Sequence, residues 1–296
     1  MRKYPAKLLL FGEYLILTGS RALAVPVPMF YGQWQKAGPT DRLGMNLENF
    51  ARSTALAQVF GFNGQKMLED LEAGWFFQSN IPQGYGLGSS GALCAAVYDR
   101  YVAEKSTDWM LLKQVFAGME SFFHGQSSGI DPLTSYLNQP LWISNHQQIL
   151  PGASHSDSAE APLIFLIDSR TPRQTAPLVA WFMKQQEDAG FVQILETDWR
   201  QWHNHVLQSW ELGDWEQFWL ALRQVSEFQL RYLSPMIPES LRSVWERSLE
   251  GTAFFLKICG AGGGGFVLGF ARSATALSDF FPEHELIYPF ATHALV

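Results

Sequence analysis

Residues 80–92, Asn80-Ile-Pro-Gln-Gly-Tyr-Gly-Leu-Gly-Ser-Ser-Gly-Ala92, decide how this chain is read. They follow a short strand-like run, Trp75-Phe-Phe-Gln-Ser79, and precede a stretch with helical character from about Ser90 to Glu104. Gly84, Gly86 and Gly88 have no Cβ, so the backbone can turn left-handed and approach a ligand closely. A helix starting at about Ser90 aims its free N–H groups and the positive end of its dipole at the loop, which makes an anion site. Ser89 and Ser90 add hydroxyls for phosphate or metal. A tight turn with small packing residues is the plainer reading, but it does not explain three glycines followed by two serines at a helix start. Two other phosphate motifs fit poorly. The P-loop needs a Lys after its last Gly, and none is present. Gly86, Gly88 and Gly91 match G-x-G-x-x-G, but so do Gly260, Gly262 and Gly265. The acidic residue that a dinucleotide fold requires would fall in helix or at a helix end, near Glu104 and Asp108.

Working outward, Ala6-Lys-Leu-Leu-Leu-Phe11 reads as a buried strand ending at Gly12. Residues 22–31 read as a second strand, with Pro26 and Pro28 placing it at an edge or a bulge. Residues 47–73 look helical with a break near Gly61–Gly64, and another helix runs from about Trp109 to Phe123. Residues 140–144 read as a strand. The polar stretch 145–161 marks a domain boundary, giving units 1–155 and 156–296. Beyond it come a buried strand at 163–168, a largely helical region from about 175 to 250, and strands at 253–258 and 266–270. Those last two flank a second cluster, Lys257-Ile-Cys-Gly-Ala-Gly-Gly-Gly-Gly265. So much glycine costs chain entropy, and such a loop persists where something must come very close to its backbone. A flexible hairpin is the alternative.

The chain has 296 residues, 47% hydrophobic and 17% charged, which is material for a sizeable core and argues against disorder. Its 11 Trp read as bulky packing residues. The net charge of −7, with no basic cluster, argues against a nucleic-acid partner. Cys94 and Cys259 form no metal or disulfide pattern and read as buried reduced thiols, which suits a reducing compartment. The apolar run near the start is broken by Gly12 and Glu13, too short for a membrane span and without a signal-peptide cleavage site. A cytoplasmic protein that engages no membrane is expected. His203 and His205, two apart on a helix, do not share a face and read as surface residues.

Three segments together resemble the GHMP kinases, a family named for galactokinase, homoserine kinase, mevalonate kinase and phosphomevalonate kinase. They are Pro5-Ala-Lys-Leu-Leu-Leu-Phe-Gly-Glu-Tyr14, Gly86-Leu-Gly-Ser-Ser90 and Lys257–Gly265, in the family's order and across essentially the whole chain. The segment Glu120-Ser-Phe-Phe-His-Gly-Gln-Ser-Ser-Gly-Ile-Asp131 looks like that of the mevalonate kinases within the family, as does Asp168-Ser-Arg-Thr-Pro-Arg-Gln-Thr175. Tyr14 departs from the His usual there in mevalonate kinases and is often seen in phosphomevalonate kinases, which leaves the acceptor open.

The resemblance implies a two-domain α+β fold: an N-terminal domain like the second domain of ribosomal protein S5 and a ferredoxin-like C-terminal domain, with the site in the cleft between them. It implies ATP and Mg2+ as cofactors, and phosphoryl transfer to the hydroxyl of a small metabolite, mevalonate being favoured. A phosphomevalonate kinase and a non-catalytic nucleotide- or metabolite-binding regulator are the alternatives, and either a monomer or a homodimer is compatible. Carried over by position, Gly84, Gly86, Leu87, Gly88, Ser89, Ser90 and Gly91 hold the nucleotide phosphates together with Gly260, Gly262 and Gly263. Ser90 and Glu120 are the metal ligands, and Asp131 and Lys7 the catalytic pair. Glu13 and Tyr14 face the acceptor, with Thr175 and Arg173 weaker candidates for which a solvent-exposed loop is the alternative. Taken alone, Glu120 is a solvated helix charge and Asp131, before Pro132, a helix N-cap. Glu13 alone is a turn charge, and Tyr14 a half-buried aromatic.

Overall fold

The computed structural model describes residues 1–36, 47–144, 148–152, 160–277, 280–281 and 284–290. Two antiparallel sheets organise them. The first begins with β1 (Tyr4–Phe11) and β2 (Ala22–Lys36). Three short helices follow, α1 (Leu47–Ala51), α2 (Thr54–Ala57) and α3 (Gly64–Glu72), then β3 (Trp75–Ser79). Next come α4 (Ser89–Tyr101), α5 (Trp109–His124), α6 (Ile130–Leu137), β4 (Leu141–Ser144) and β5 (Gln148–Pro151). The strand order is β1-β2-β4-β5, and β3 pairs with β2 further along. Pro5 pairs with Tyr31 but Ala6 with Val27, so residues 28–30 bulge out and Pro28 sits in the irregularity expected of it. β5 is a departure: it lies in the polar stretch read as linker and pairs with β4, because Ile149 packs into the core while its neighbours face out. The boundary at 155/156 lies outside the described residues.

The second sheet starts at β6 (Leu163–Asp168). The helical region follows as α7 (Thr175–Gln185), α8 (Ala189–Ile194), a π turn at Leu195–Trp199, α9 (Arg200–Leu212), α10 (Trp215–Tyr232) and α11 (Glu239–Glu250). Then come β7 (Phe254–Ile258), β8 (Phe266–Ala271) and β9 (Leu286–Ile287), giving the order β7-β8-β6-β9. Among the described residues, no helix is long and apolar enough to cross a membrane.

Packing explains the composition. α4 is lined with Ala92, Cys94, Ala95 and Ala96, small enough to let it lie between the first sheet and α6. Cys94 and Cys259 are free and buried, as read. Aromatic rings join the two halves: Phe11, at the end of β1, stacks on Phe270 of β8 at 5.5 Å and meets Trp210 of α9 edge-on at 5.8 Å. Trp199, Trp210, Trp215, Trp219 and Trp245 are all core residues. β1 therefore delivers its far end, and the Gly12–Tyr14 turn after it, into the seam between the sheets.

Candidate active site

The centre of the site is an ion pair. Lys7 Nζ lies 2.5 Å from Asp131 Oδ1. Lys7 stands on β1 among apolar neighbours and is itself buried, so its ammonium can reach only inward. Its backbone N–H donates to Leu87 O at 2.9 Å, which ties β1 to the first glycine loop. Asp131 occupies the first turn of α6, and the N-cap of that helix is Gly129 with φ +73°. No side chain caps the helix, so the cap reading of Asp131 does not hold: its carboxylate turns to Lys7 instead.

The loop and Asp131 are in contact because glycine allows it. A Cβ on Gly88 would stand 3.1 Å from Asp131 Oδ2, and one on Gly91 would stand 2.8 Å from the Asp131 carbonyl carbon. Gly91 is thus the close-approach point of α4 on α6. Gly88 (φ +70°) is the left-handed N-cap of α4, so the start of that helix lies against Asp131. Gly84 lies open, with nothing near the place a Cβ would take.

Next to this pair, Ser90 Oγ donates to Glu120 Oε1 at 2.8 Å and Ser127 Oγ donates to Glu120 Oε2 at 2.5 Å. Glu120 is buried, so the solvated-charge reading fails. Burial first, and then the nearby negative charge of Asp131, push its carboxyl up to about 7; the two serine hydroxyls and Lys7 oppose that. A hydroxyl and a carboxylate are hard oxygen donors of the kind Mg2+ takes, and a cation would offset the repulsion that raises Glu120. Ser90 and Glu120 would hold such an ion, with phosphate and water oxygens completing its shell. Ser127 was missed in the sequence because a serine in a loop of small polar residues carries no distinguishing signal.

The second glycine loop is packed against the chain itself. A Cβ on Gly262 would meet Met236 O at 2.5 Å, on Gly264 Thr171 O at 2.6 Å, and on Gly265 Tyr85 Cα at 2.9 Å. The close approach expected of this loop is real, and part of it is made by the protein. Tyr85 brings the two glycine loops together, and its ring meets Phe266 at 4.8 Å. Arg173 fills the remaining gap, because its guanidinium lies where a Cβ on either Gly86 or Gly260 would stand. Its Nη1 donates to Cys259 O at 3.3 Å, while its buried Nε has no partner.

The acceptor-side expectations fare differently. Glu13 is buried and bound to Lys257, with Oε1 2.5 Å from Nζ, so it is neither a turn charge nor open to a substrate. Lys257, in the second glycine motif, carries no local signal of this pairing, since its partner lies 244 positions away. Tyr14 is buried, its OH donating to Ala261 O at 2.7 Å. Thr175 opens α7 on the exposed surface and is not brought to the Lys7–Asp131 pair. Of the two weaker candidates, Arg173 is the one that lies between the loops. His203 is a correction: it is buried in α9, with Nε2 2.8 Å from Arg21 O, because the helix turns that face onto the loop after Gly19.

Residues 51–139, which hold the first glycine loop, Glu120 and Asp131, match the family described as GHMP kinases N terminal domain. The mixed α+β fold just described is also that of a solved mevalonate kinase, which superposes with a TM-score of 0.64 at 18% identity over 96% of each chain. A mevalonate kinase of Archaeoglobus fulgidus is 26% identical over 294 residues, covering 95% of each chain. Among solved structures, the L. major mevalonate kinase in complex with R-mevalonate superposes with a TM-score of 0.66 at 17% identity, over 95% of this chain and 91% of that one. The Streptococcus pneumoniae phosphomevalonate kinase in complex with phosphomevalonate and AMPPNP superposes with a TM-score of 0.64 at 16% identity, over 97% and 98%.

Proposed function

We propose that this protein is an ATP- and Mg2+-dependent kinase that phosphorylates the hydroxyl of a small anionic alcohol, with mevalonate as acceptor and 5-phosphomevalonate as product. The observation that carries the reading is the 2.5 Å Lys7–Asp131 contact set directly against Gly88 and the start of α4. Phosphoryl transfer asks the protein for position and charge more than for covalent help. The first-turn N–H groups of α4 and the glycine backbones bind and orient the nucleotide phosphates. Ser90 and Glu120 would hold Mg2+, which would supply positive charge against those phosphates. Asp131 accepts the hydroxyl proton or orients that hydroxyl, and Lys7 stabilises the charge on the group in transfer. Arg173, with donors to spare beside the loops, supports an acceptor that carries a carboxylate or phosphate. The likeness to the Archaeoglobus mevalonate kinase, 26% identical over 95% of each chain, supports the same substrate.

On this reading residues 1–155 form the nucleotide-binding domain and 156–296 the second domain of a cytoplasmic enzyme. One observation favours a second acceptor, phosphomevalonate: the residue after Glu13 is Tyr14, as is often found in enzymes resembling that type. The test is kcat/KM for mevalonate against phosphomevalonate under saturating MgATP. A preference for mevalonate of 100-fold or more, on the order expected when a site's charged groups are matched to one acceptor, supports the first reading. The reverse preference selects the second.

A further inference from the structure

The turn after β1 carries two side chains expected to face the acceptor, and the geometry gives both of them another partner. Glu13 Oε1 and Lys257 Nζ lie 2.5 Å apart with both side chains shut off from solvent. The ammonium is fixed from two more sides: it donates to Ile258 O at 2.8 Å and sits 5.8 Å from the centre of the Phe11 ring. One residue on, Tyr14 OH donates to Ala261 O at 2.7 Å, and the ring packs on Phe182 at 4.6 Å. Tyr14 does this from φ +59°, a left-handed backbone that a tyrosine adopts only under constraint. Both bonds end on one short stretch, Lys257–Ala261, which is the root of the second glycine loop.

We infer that Glu13 and Tyr14 are positioning residues for the nucleotide side of the site. They hold the second glycine loop at a fixed distance from Lys7, which shares β1 with their turn. A buried ion pair pays a desolvation cost on both charges and is weak evidence for stability, but it is a strong constraint on registry. Here it joins the strand that carries Lys7 to the strand that leads into the loop. The hydroxyl of Tyr14 is taken by Ala261 O, and the carboxylate of Glu13 by Lys257, so neither has its polar group turned to an acceptor. Arg173 adds a third tie at the same root through Cys259 O. The strained φ of Tyr14 is the local cost of bringing its hydroxyl across the seam.

This inference rests on the kinase reading, and the experiment separates the two. MgATP affinity is measured by calorimetry, which needs no turnover, and the KM for mevalonate is measured kinetically. Tyr14→Phe removes one oxygen and should weaken MgATP binding by about 3- to 10-fold, the span that one hydrogen bond is worth, while the mevalonate KM stays within twofold. Glu13→Gln should weaken nucleotide binding at least as much. Should Glu13→Gln fail to fold, Tyr14→Phe still decides. A thermal melt is run alongside, since a role in packing alone would lower the melting temperature without moving nucleotide affinity. A rise in mevalonate KM with MgATP binding unchanged would overturn the inference and return Tyr14 to the acceptor. Equal change in both, or in neither, would overturn it as well. Wild-type protein that fails to bind MgATP would overturn the kinase reading, and the inference with it.

Discussion

Asp131→Asn tests the residue to which the chemistry is assigned. The substitution keeps the size of the side chain and removes its charge and proton-accepting capacity. Since Gly129 and not Asp131 caps α6, no cap is lost and the fold should hold. We expect kcat to fall by about 10²- to 10⁴-fold, the span of a positioned acid–base group, with MgATP affinity within a few-fold. Lys7→Met should lower kcat too, and the double variant should lose less than the sum, because the pair acts as a unit. Glu120 gives a pH-dependent prediction. Its carboxyl is pushed up to about 7, so below that pH a proton competes with the metal. The Mg2+ concentration for half-maximal activity should therefore fall as pH rises through about 7 and level off above it. Glu120→Gln should need more Mg2+ at every pH and show no such slope; an unchanged Mg2+ titration would remove Glu120 from the metal site. Lys7, Ser90, Glu120 and Asp131 were legible in the sequence because their motifs have fixed order and spacing. Lys257, Ser127 and His203 were not, because their roles come from partners that only the fold brings near.

At the scale of elements, the glycine loops were legible as punctuation and less so as cause. The sequence marks them as places of close backbone approach; the structure shows that Met236, Thr171 and Tyr85 make some of that approach. Gly262→Ala would put a Cβ 2.5 Å from Met236 O at φ +69°. It should cost about 2–3 kcal/mol of stability, a left-handed penalty plus a clash. Gly84→Ala, at φ +79° with nothing nearby, should cost only about 1–2 kcal/mol. Urea unfolding of the two variants checks the difference. α9 offers a second case. Arg200 binds Ser20 and Thr18, and His203 binds Arg21 O, so this helix holds the turn that follows Tyr14. Burial lowers His203 from an ordinary 6.5 to about 4. The unfolded chain takes up a proton as pH falls below 6.5, while the folded chain does not until near 4. Stability is therefore lost as pH drops across that window, by up to about 3 kcal/mol. His203→Gln keeps a donor but cannot titrate, so its unfolding free energy should change less between pH 7 and pH 5. An equal slope in both proteins would place the acid sensitivity elsewhere.

The whole molecule is two antiparallel sheets with helices, joined where Phe11 enters the aromatic cluster of Trp210, Phe218 and Phe270. Apolar runs and glycine breaks were enough to locate most strands. They did not disclose the pairing order, nor β5, whose polar flanks hide a single buried Ile149. That order matters to function, because it brings the end of β1 to the root of the second glycine loop and leaves Lys7 beside Asp131. The account stands on one claim: that these parts, once assembled, move a phosphoryl group from ATP to a hydroxyl. Phosphorus NMR of the wild-type protein with ATP, Mg2+ and mevalonate reads this directly. The account predicts a new phosphomonoester signal growing in equal proportion to ADP, and dependent on mevalonate. Nucleotide that binds but stays intact with mevalonate and with phosphomevalonate, or that is split only to inorganic phosphate, would contradict it and leave a protein that has kept the fold without the reaction.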